Sequence, residues 1–267
     1  MINGIGLGLR FPHFDSVLKE DCETPWFEVL IDDFLNQGPH FQKLERLRET
    51  KPIVMHSIGM NLGGVSAFNQ EYLSSLRELY KRYEPEWISD HLCWSSHEGQ
   101  YHHDLLPIPR TNEALENLVQ RVSYLQDFFG RQLVLENITS YVEFEESHIP
   151  EPEFINALVD KTGCGILLDL TNVLVNSQNK KTSAKEYIEN FPFKAVKQIH
   201  LAGGEYIDDV LVDTHGANVG DDDIELLKTV YKKHGALPAM IERDIQLPAF
   251  EELEAERKKI EEAVHGL

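Results

Sequence analysis

Gln198-Ile199-His200-Leu201-Ala202-Gly203-Gly204, with Asp213-Thr214-His215-Gly216 beginning thirteen residues after His200, joins an apolar run to potential metal ligands. One histidine closes the run; an aspartate and a second histidine lie in the loop after it. The arrangement recurs along the chain. His56 ends Ile53-Val54-Met55-His56, and His91 ends Trp87-Ile88-Ser89-Asp90-His91. Glu136 closes Leu133-Val134-Leu135-Glu136, Asp169 closes Ile166-Leu167-Leu168-Asp169, and Glu242 closes Met240-Ile241-Glu242. If these runs are parallel strands of one barrel, their ends share one face and surround one mouth.

Eight short runs predict strands, over 5–9, 26–31, 52–57, 87–92, 132–137, 164–171, 196–202 and 239–244. Most are nearly continuous in aliphatic and β-branched residues, the pattern of parallel strands covered on both faces. Helical spacing lies between them. Tyr72, Leu73, Leu76, Leu79, Tyr80 and Tyr83 repeat as one stripe, and Leu115, Leu118, Val122 and Leu125 as another, ahead of Gly130 as a stop. Ser183 and Glu186 form a capping box, Leu226, Leu227, Val230 and Tyr231 give a further stripe, and Phe250 and Leu253 open a last helix. The predicted fold is α/β: a (β/α)8 TIM barrel in one domain over residues 1–267. The segment from Ser95 to Asn112, with His97, His102, His103 and Pro107, is longer than an ordinary strand–helix connection, as active-site loops of barrels often are.

A formal net charge of -20 argues against nonspecific nucleic-acid binding, which relies on Lys and Arg. The three cysteines, Cys22, Cys93 and Cys164, are far apart and fit a reducing compartment better than a disulfide framework. Met1-Ile2-Asn3-Gly4 lacks the features of a signal peptide, and no run approaches the roughly 18 apolar residues of a membrane span. The expectation is a soluble, cytoplasmic protein that binds neither membrane nor nucleic acid.

A single His at a strand end is commonly a hydrogen-bonded core residue, and a single Asp or Glu there commonly caps the next helix. Capping explains less well why most of the predicted strands end this way. Clustered carboxylates at one mouth repel one another, and cations remove that penalty. Imidazole with carboxylate and no thiolate suits iron, manganese or zinc, and so many ligands exceed one tetrahedral ion. Cys93, two residues past His91, reads as a buried thiol rather than a ligand. Asp208-Asp209 and Asp221-Asp222-Asp223 read as loop and helix-start residues. Arg110 is either a solvated side chain or a group that steers an acidic peptide.

Taken together, His56, Ser89-Asp90-His91, Leu135-Glu136-Asn137, Leu168-Asp169, Gln198-Ile199-His200-Leu201-Ala202-Gly203 and Asp213-Thr214-His215-Gly216 resemble the multinuclear non-heme iron-dependent oxidase family. The resemblance runs in order from Gly4-Ile5-Gly6-Leu7 to Glu242-Arg243-Asp244. It implies a TIM barrel of the xylose-isomerase-like kind, holding two or three irons of mixed ferrous and ferric state that use O2 to modify cysteine in a ribosomally made precursor peptide. It also implies a small partner protein that binds the peptide leader, as a heterodimer with the oxidase. Leu30-Ile31-Asp32-Asp33-Phe34-Leu35 and Glu242-Arg243-Asp244 are similar to the methanobactin-biosynthesis branch, whose product carries oxazolone and thioamide groups. Gly59-Met60-Asn61-Leu62-Gly63 and His103-Asp104-Leu105-Leu106-Pro107 are similar to the broader family, and Asp169-Leu170-Thr171-Asn172 departs from its common Asp-Val-Asn-Asn at the third position. The expected ligands are His56, His91, Glu136, Asp169, Asn172, His200, Asp213, His215 and Glu242. Glu136 is expected to bridge ions and act in catalysis, with Asp244 a second catalytic group that, like Asn137, orients ligands. Another peptidyl-cysteine-modifying oxidase of the same family acting on a different precursor peptide, multinuclear zinc or manganese hydrolases such as those acting on DNA, sugar isomerases and a non-enzymatic metal-storing or partner-binding barrel remain as alternatives.

Overall fold

Eight parallel strands close into a barrel in the computed structural model, which describes residues 2–19, 22–36 and 38–267; the side chain of His103 lies outside the described residues. In chain order β1 (Ile5–Leu9) leads to the short α1 (Phe14–Val17), β2 (Phe27–Leu30) to α2 (His40–Thr50), and β3 (Ile53–His56) to α3 (Gln70–Tyr83). After β4 (Ile88–His91) comes a hairpin of β5 (Cys93–His97) and β6 (Gln100–Pro107), then α4 (Asn112–Phe129). β7 (Leu133–Glu136) precedes α5 (Glu151–Thr162), and β8 (Gly165–Asp169) precedes α6 (Leu170–Lys180) and α7 (Ala184–Glu189). After β9 (Val196–Leu201) a second hairpin, β10 (Glu205–Ile207) and β11 (Val210–Val212), precedes α8 (Asp221–His234); β12 (Ala239–Ile241) and α9 (Phe250–Ala263) complete the chain. The closed order is β1-β12-β9-β8-β7-β4-β3-β2, so all eight predicted runs are barrel strands.

Core and caps follow from local chemistry. Leu118, Val122 and Leu125 bury the inner stripe of α4, each contributing about 1.5–3 kcal/mol through removal from water. Thr111 accepts the Ala114 N–H at the start of that helix, and Gly130, at φ +67°, ends it in the left-handed region. Ser183 accepts the Glu186 N–H at the start of α7, as the capping box requires. The chain departs from the predicted strand over 164–171 because the Asp169 carboxylate accepts the Asn172 N–H at 2.6 Å, so α6 starts at Leu170. The long segment from Ser95 is not irregular either. Glu98 and Gly99, both at positive φ (+50° and +79°), make a two-residue turn that folds it into the β5–β6 hairpin.

Strand register aligns the chemistry. His91 pairs with Glu136, Asp169 with His200, and Met240 with His200. The loop carrying Asp213 and His215 returns against Gly203, where a Cβ would meet the Ala217 carbonyl oxygen at 2.2 Å; only glycine fits.

Candidate metal centre

His56, His91 and Glu136 come from three adjacent strands and form a nearly equilateral triangle. His56 Nε2 and His91 Nε2 are each 3.2 Å from Glu136 Oε2, and 3.2 Å from each other. Ser89 sets the tautomer of His56. Its hydroxyl donates to the Met55 carbonyl and accepts from His56 Nδ1 at 2.8 Å, leaving the Nε2 lone pair for the centre. Ligand atoms about 2.0–2.2 Å from a shared ion at tetrahedral angles stand roughly 3.3–3.6 Å apart, and closer at octahedral ones, so the triangle fits one ion.

The other oxygen of Glu136 belongs to a second group with Asp169, His200 and Glu242. His200 Nδ1 lies 3.1 Å from Glu136 Oε1 and 3.0 Å from Glu242 Oε2. Its Nε2 donates instead to Glu28 Oε2 at 3.0 Å, inside the barrel. Glu28, fully buried on β2, was not among the residues the sequence singled out. The signal was present as a carboxylate interrupting Trp26-Phe27-Glu28-Val29-Leu30. Gln198 completes this layer, donating to Glu28 at 2.6 Å and accepting from Trp87 Nε1 at 2.6 Å. Asp169 both caps and faces the centre: Oδ1 takes the Asn172 N–H, while Oδ2 points at the cluster. Asn137 holds the Asp169 main chain from both sides, at 2.9 Å each, the orienting part expected of it.

The third group is carried by loops. His215 Nε2 lies 2.8 Å from Asp213 Oδ1, and its Nδ1 lies 3.0 Å from Asp244 Oδ2 and 3.5 Å from Glu242 Oε2. His215 adopts φ +49°, a left-handed conformation that costs a histidine energy and is held by the packed loop. Arg10, also missed in the sequence, bridges Asp244 and Glu242 from behind, 3.3 Å from Glu242 Oε1. Asp244 therefore lies among the donor atoms themselves while Arg10 orients it. Asn172 is beside this group: its Oδ1 accepts from Thr139, whose hydroxyl is also 3.4 Å from Asp213 Oδ2.

The donor atoms fit cations better than they fit one another. Glu136 Oε2, Asp169 Oδ2, Asp213 Oδ1, His91 Nδ1, His200 Nδ1 and His215 Nε2 are buried without a hydrogen-bond partner among the described residues. Apart from His91 Nδ1, which is 3.7 Å from Asp90, they belong to side chains of the three groups, and several stand within ion-pair distance of each other without hydrogen-bond geometry. A buried polar atom left without a partner costs about 1–3 kcal/mol, more when charged. The titration behaviour agrees. Burial opposes charge on His56, but Glu136 and Glu28 overcome it and raise the ring to about 9. Burial likewise opposes charge on His215, and Glu242, Asp213 and Asp244 push it up to about 12. Burial favours neutral Glu136, yet His200, His91 and His56 hold it well below the usual carboxylate range. Asp169 goes the other way, raised by burial and by Glu136 and Asp213. Glu136 and Glu242 each belong to two of the three groups, the pattern of bridging carboxylates.

A cavity of about 370 Å³ opens onto the cluster. His91, Glu136, Asn172, Asp213 and His215 form its floor; Leu105, Leu106 and Pro107 of β6 and Ile138, Tyr141 and Val142 after β7 form its walls. Cys93 is buried, with a thiol that burial raises, as the reading of it as a core residue requires. Arg110 neither points free into solvent nor faces the cavity: it donates to the Ile149 carbonyl at 3.1 Å and pairs with Glu143. Asp221, Asp222 and Asp223 occupy the first turn of α8, where they offset its N-terminal partial charge.

A family model described as "RiPP precursor modification enzyme MbnB/TglH/ChrH" matches residues 4–265. The chain is 40% identical over 258 residues to a UPF0276 protein of Paraburkholderia phytofirmans, covering 94% of this chain and 84% of that one. It is 37% identical over 258 residues to a UPF0276 protein of Acaryochloris marina, with 97% and 94% covered. Among solved structures it is similar to a putative xylose isomerase from Rhodospirillum rubrum (TM-score 0.62, 13% identity, 98% of each chain covered). It is also similar to endonuclease IV from Thermus thermophilus (TM-score 0.60, 16% identity, 98% and 97% covered). At those identities the structural likeness shows the xylose-isomerase-like barrel alone.

Proposed function

The chain belongs to the multinuclear non-heme iron-dependent oxidase family, the MbnB/TglH/ChrH group of RiPP precursor modification enzymes, and from that premise we propose that it uses iron and O2 to oxidise cysteine in a ribosomally synthesised precursor peptide. The observation that carries this reading is the set of three donor groups joined through Glu136 and Glu242 beneath one cavity. His56, His91 and Glu136 would hold one iron; Glu136, Asp169, His200 and Glu242 a second; His215, Glu242 and Asp213 or Asp244, with Asn172 adjacent, a third. The product belongs to the oxazolone and thioamide class of the methanobactin branch, on the strength of the segments at Leu30–Leu35 and Glu242–Asp244. A small partner protein that binds the peptide leader, forming a heterodimer, is part of the same proposal.

Bound iron would supply Lewis acidity toward a cysteine thiol and an electron path to O2. The chain's own groups prepare that chemistry. Ser89 and Glu28 fix the ring nitrogens that His56 and His200 present to the centre. Arg10 keeps the Glu242 and Asp244 carboxylates from rotating away. The apolar wall of Leu105, Leu106, Pro107, Ile138 and Val142 keeps bulk water off a thiol entering the cavity and strengthens every charge interaction inside it. Asp213, 3.4 Å from the Thr139 hydroxyl and open to the cavity, can take a proton from the incoming thiol.

The test is metal content by mass spectrometry on protein purified without oxygen, followed by O2 uptake with cysteine-containing peptides. Two to three irons per chain and peptide-dependent O2 uptake are expected. Stoichiometric zinc or manganese with little iron, persisting after iron supplementation, overturns the proposal in favour of a hydrolase or isomerase.

A further inference from the structure

The loops that follow the eight barrel strands share one face, and their surface composition is unlike the rest of the chain. Among the described residues, all the exposed large apolar side chains but Tyr124 and Leu267 lie on these loops. Val65, Tyr101, Val142, Tyr206 and Ile207 are each more than half exposed there, a cost that an uncovered surface does not recover. The same loops carry exposed carboxylates, including Asp33, Asp104, Glu145, Glu205 and Asp209, and not one lysine. Their three arginines are committed elsewhere. Arg10 holds Glu242 and Asp244, Arg110 holds Glu143 and a main-chain carbonyl, and Arg243 pairs with Glu256 at 3.0 Å. Among the described residues the loops themselves are therefore apolar and acidic with their arginines paired, and Lys180 at the neighbouring end of α6 is taken up by Glu143 at 2.9 Å.

It is continuous with the candidate site. Tyr141 and Val142 line the cavity, and the Tyr141 hydroxyl accepts the Asp213 N–H at 2.9 Å, at the foot of the β10–β11 hairpin that carries Ile207 and Val210. Asn179 clasps that hairpin through both main-chain groups of Leu211, at 2.8 and 3.0 Å, so its apolar tip is presented from a fixed base.

We propose that this face is the docking surface for a basic, apolar segment of the substrate peptide, lysine or arginine residues meeting the carboxylates and aliphatic residues covering the tyrosine, valine and isoleucine side chains. The proposal rests on the reading of the cavity as the place where a peptide is modified. It reverses the sign expected from Arg110 alone: an acidic leader would meet repulsion on every loop. Phosphate-rich partners, nucleic acid or anionic membrane, would meet the same repulsion.

The experiment uses the full chain and a fluorescein-labelled peptide of alternating lysine and leucine with serine spacers, read by anisotropy. Two sister peptides replace its lysines by glutamate or its leucines by serine. The lysine–leucine peptide binds, and both sisters bind at least about tenfold more weakly. The surface pairs Val142→Ser with Ile207→Ser, and Glu205→Gln with Asp209→Asn, each weaken it by about tenfold. Glu84→Gln with Glu86→Gln, the same charge change at the opposite end of the barrel, changes it less than about twofold. Equal weakening from both ends of the barrel, unchanged binding in the rim pairs, or equal affinity for the glutamate peptide overturns the docking surface. Iron content is read on the same preparations. Rim-dependent binding without iron removes the oxidase reading and leaves the surface; iron with rim-independent binding does the reverse.

Discussion

The two ends of the donor cluster are built differently. His56, His91 and Glu136 are carried by strands whose backbones are locked in the barrel ladder, and the side chains of His56 and Glu136 are 1% and 2% exposed. Asp213, His215 and Asp244 are carried by loops, with His215 in a left-handed conformation and Asp244 37% exposed. A strand-borne site is set when the barrel closes. A loop-borne site depends on secondary supports: Gly203 for the return of the chain, Arg10 behind Asp244, Tyr141 on the Asp213 amide. The difference predicts that an ion would be held tightly at the first and exchangeably at the second.

The sharpest way to break this contrast is to remove one donor from each end. Glu136→Ala takes a carboxylate from two groups and leaves the imidazoles of His56, His91 and His200, two of them fully buried, facing an apolar gap. It is expected to abolish binding at both donor groups that share Glu136, with no O2 uptake. His215→Ala is expected to lose only the loop-borne ion and activity, with the circular dichroism spectrum and remaining metal unchanged. Metal analysis after gel filtration distinguishes them; loss of all metal from His215→Ala would erase the contrast.

That contrast also explains what could be read from the chain alone. All eight barrel strands were visible as apolar runs, and six of them as runs closed by the His, Asp or Glu expected to be ligands, because burial on both faces and a common mouth impose that pattern. Asp213 and His215 were found through their motif, since a loop has no period to read. Glu28 and Arg10 were passed over for a physical reason. Each lies within or beside an apolar strand, where partners come from residues more than 150 positions away (His200 for Glu28, Glu242 and Asp244 for Arg10), and such pairings leave no local trace. The Glu98-Gly99 turn was legible and would have turned the long segment into a hairpin.

Glu28→Gln probes the strand-borne end more gently. The amide still fits between Gln198 and His200 but no longer accepts as an anion, so His200 Nδ1 becomes a weaker donor to a metal. Iron content at saturating supply should be kept, while affinity in competition with a chelator falls about 10–100-fold. Full affinity would mean that strand packing alone orients His200, and that Glu28 contributes only to the barrel interior. His215→Ala should be indifferent to the same change, since the two supports do not touch.

The smallest expected effect lies at the root of the loop-borne end. Asp223 is 8% exposed and accepts from Thr171 Oγ1 at 2.6 Å, and Thr171 in turn accepts the Ala202 N–H at 2.8 Å, tying the end of β9 to α6. Burial pushes the Asp223 carboxyl up to about 6, against the pull of the Thr171 and Gly220 contacts. A carboxyl raised in the folded state is harder to ionise there than in the unfolded chain, so stability falls as pH rises from about 4 to about 6 and is level beyond. Asp223→Asn keeps the acceptor for Thr171 and removes that titration. The variant should match the parent near pH 4 and exceed it near pH 7 by about 1–3 kcal/mol, a rise of a few degrees in thermal midpoint. Metal content should not change at either end of the cluster. If the loop-borne ion is lost with the stability gain, the charge on Asp223 itself, rather than the hydrogen-bonded tie, holds the root of the loop in place.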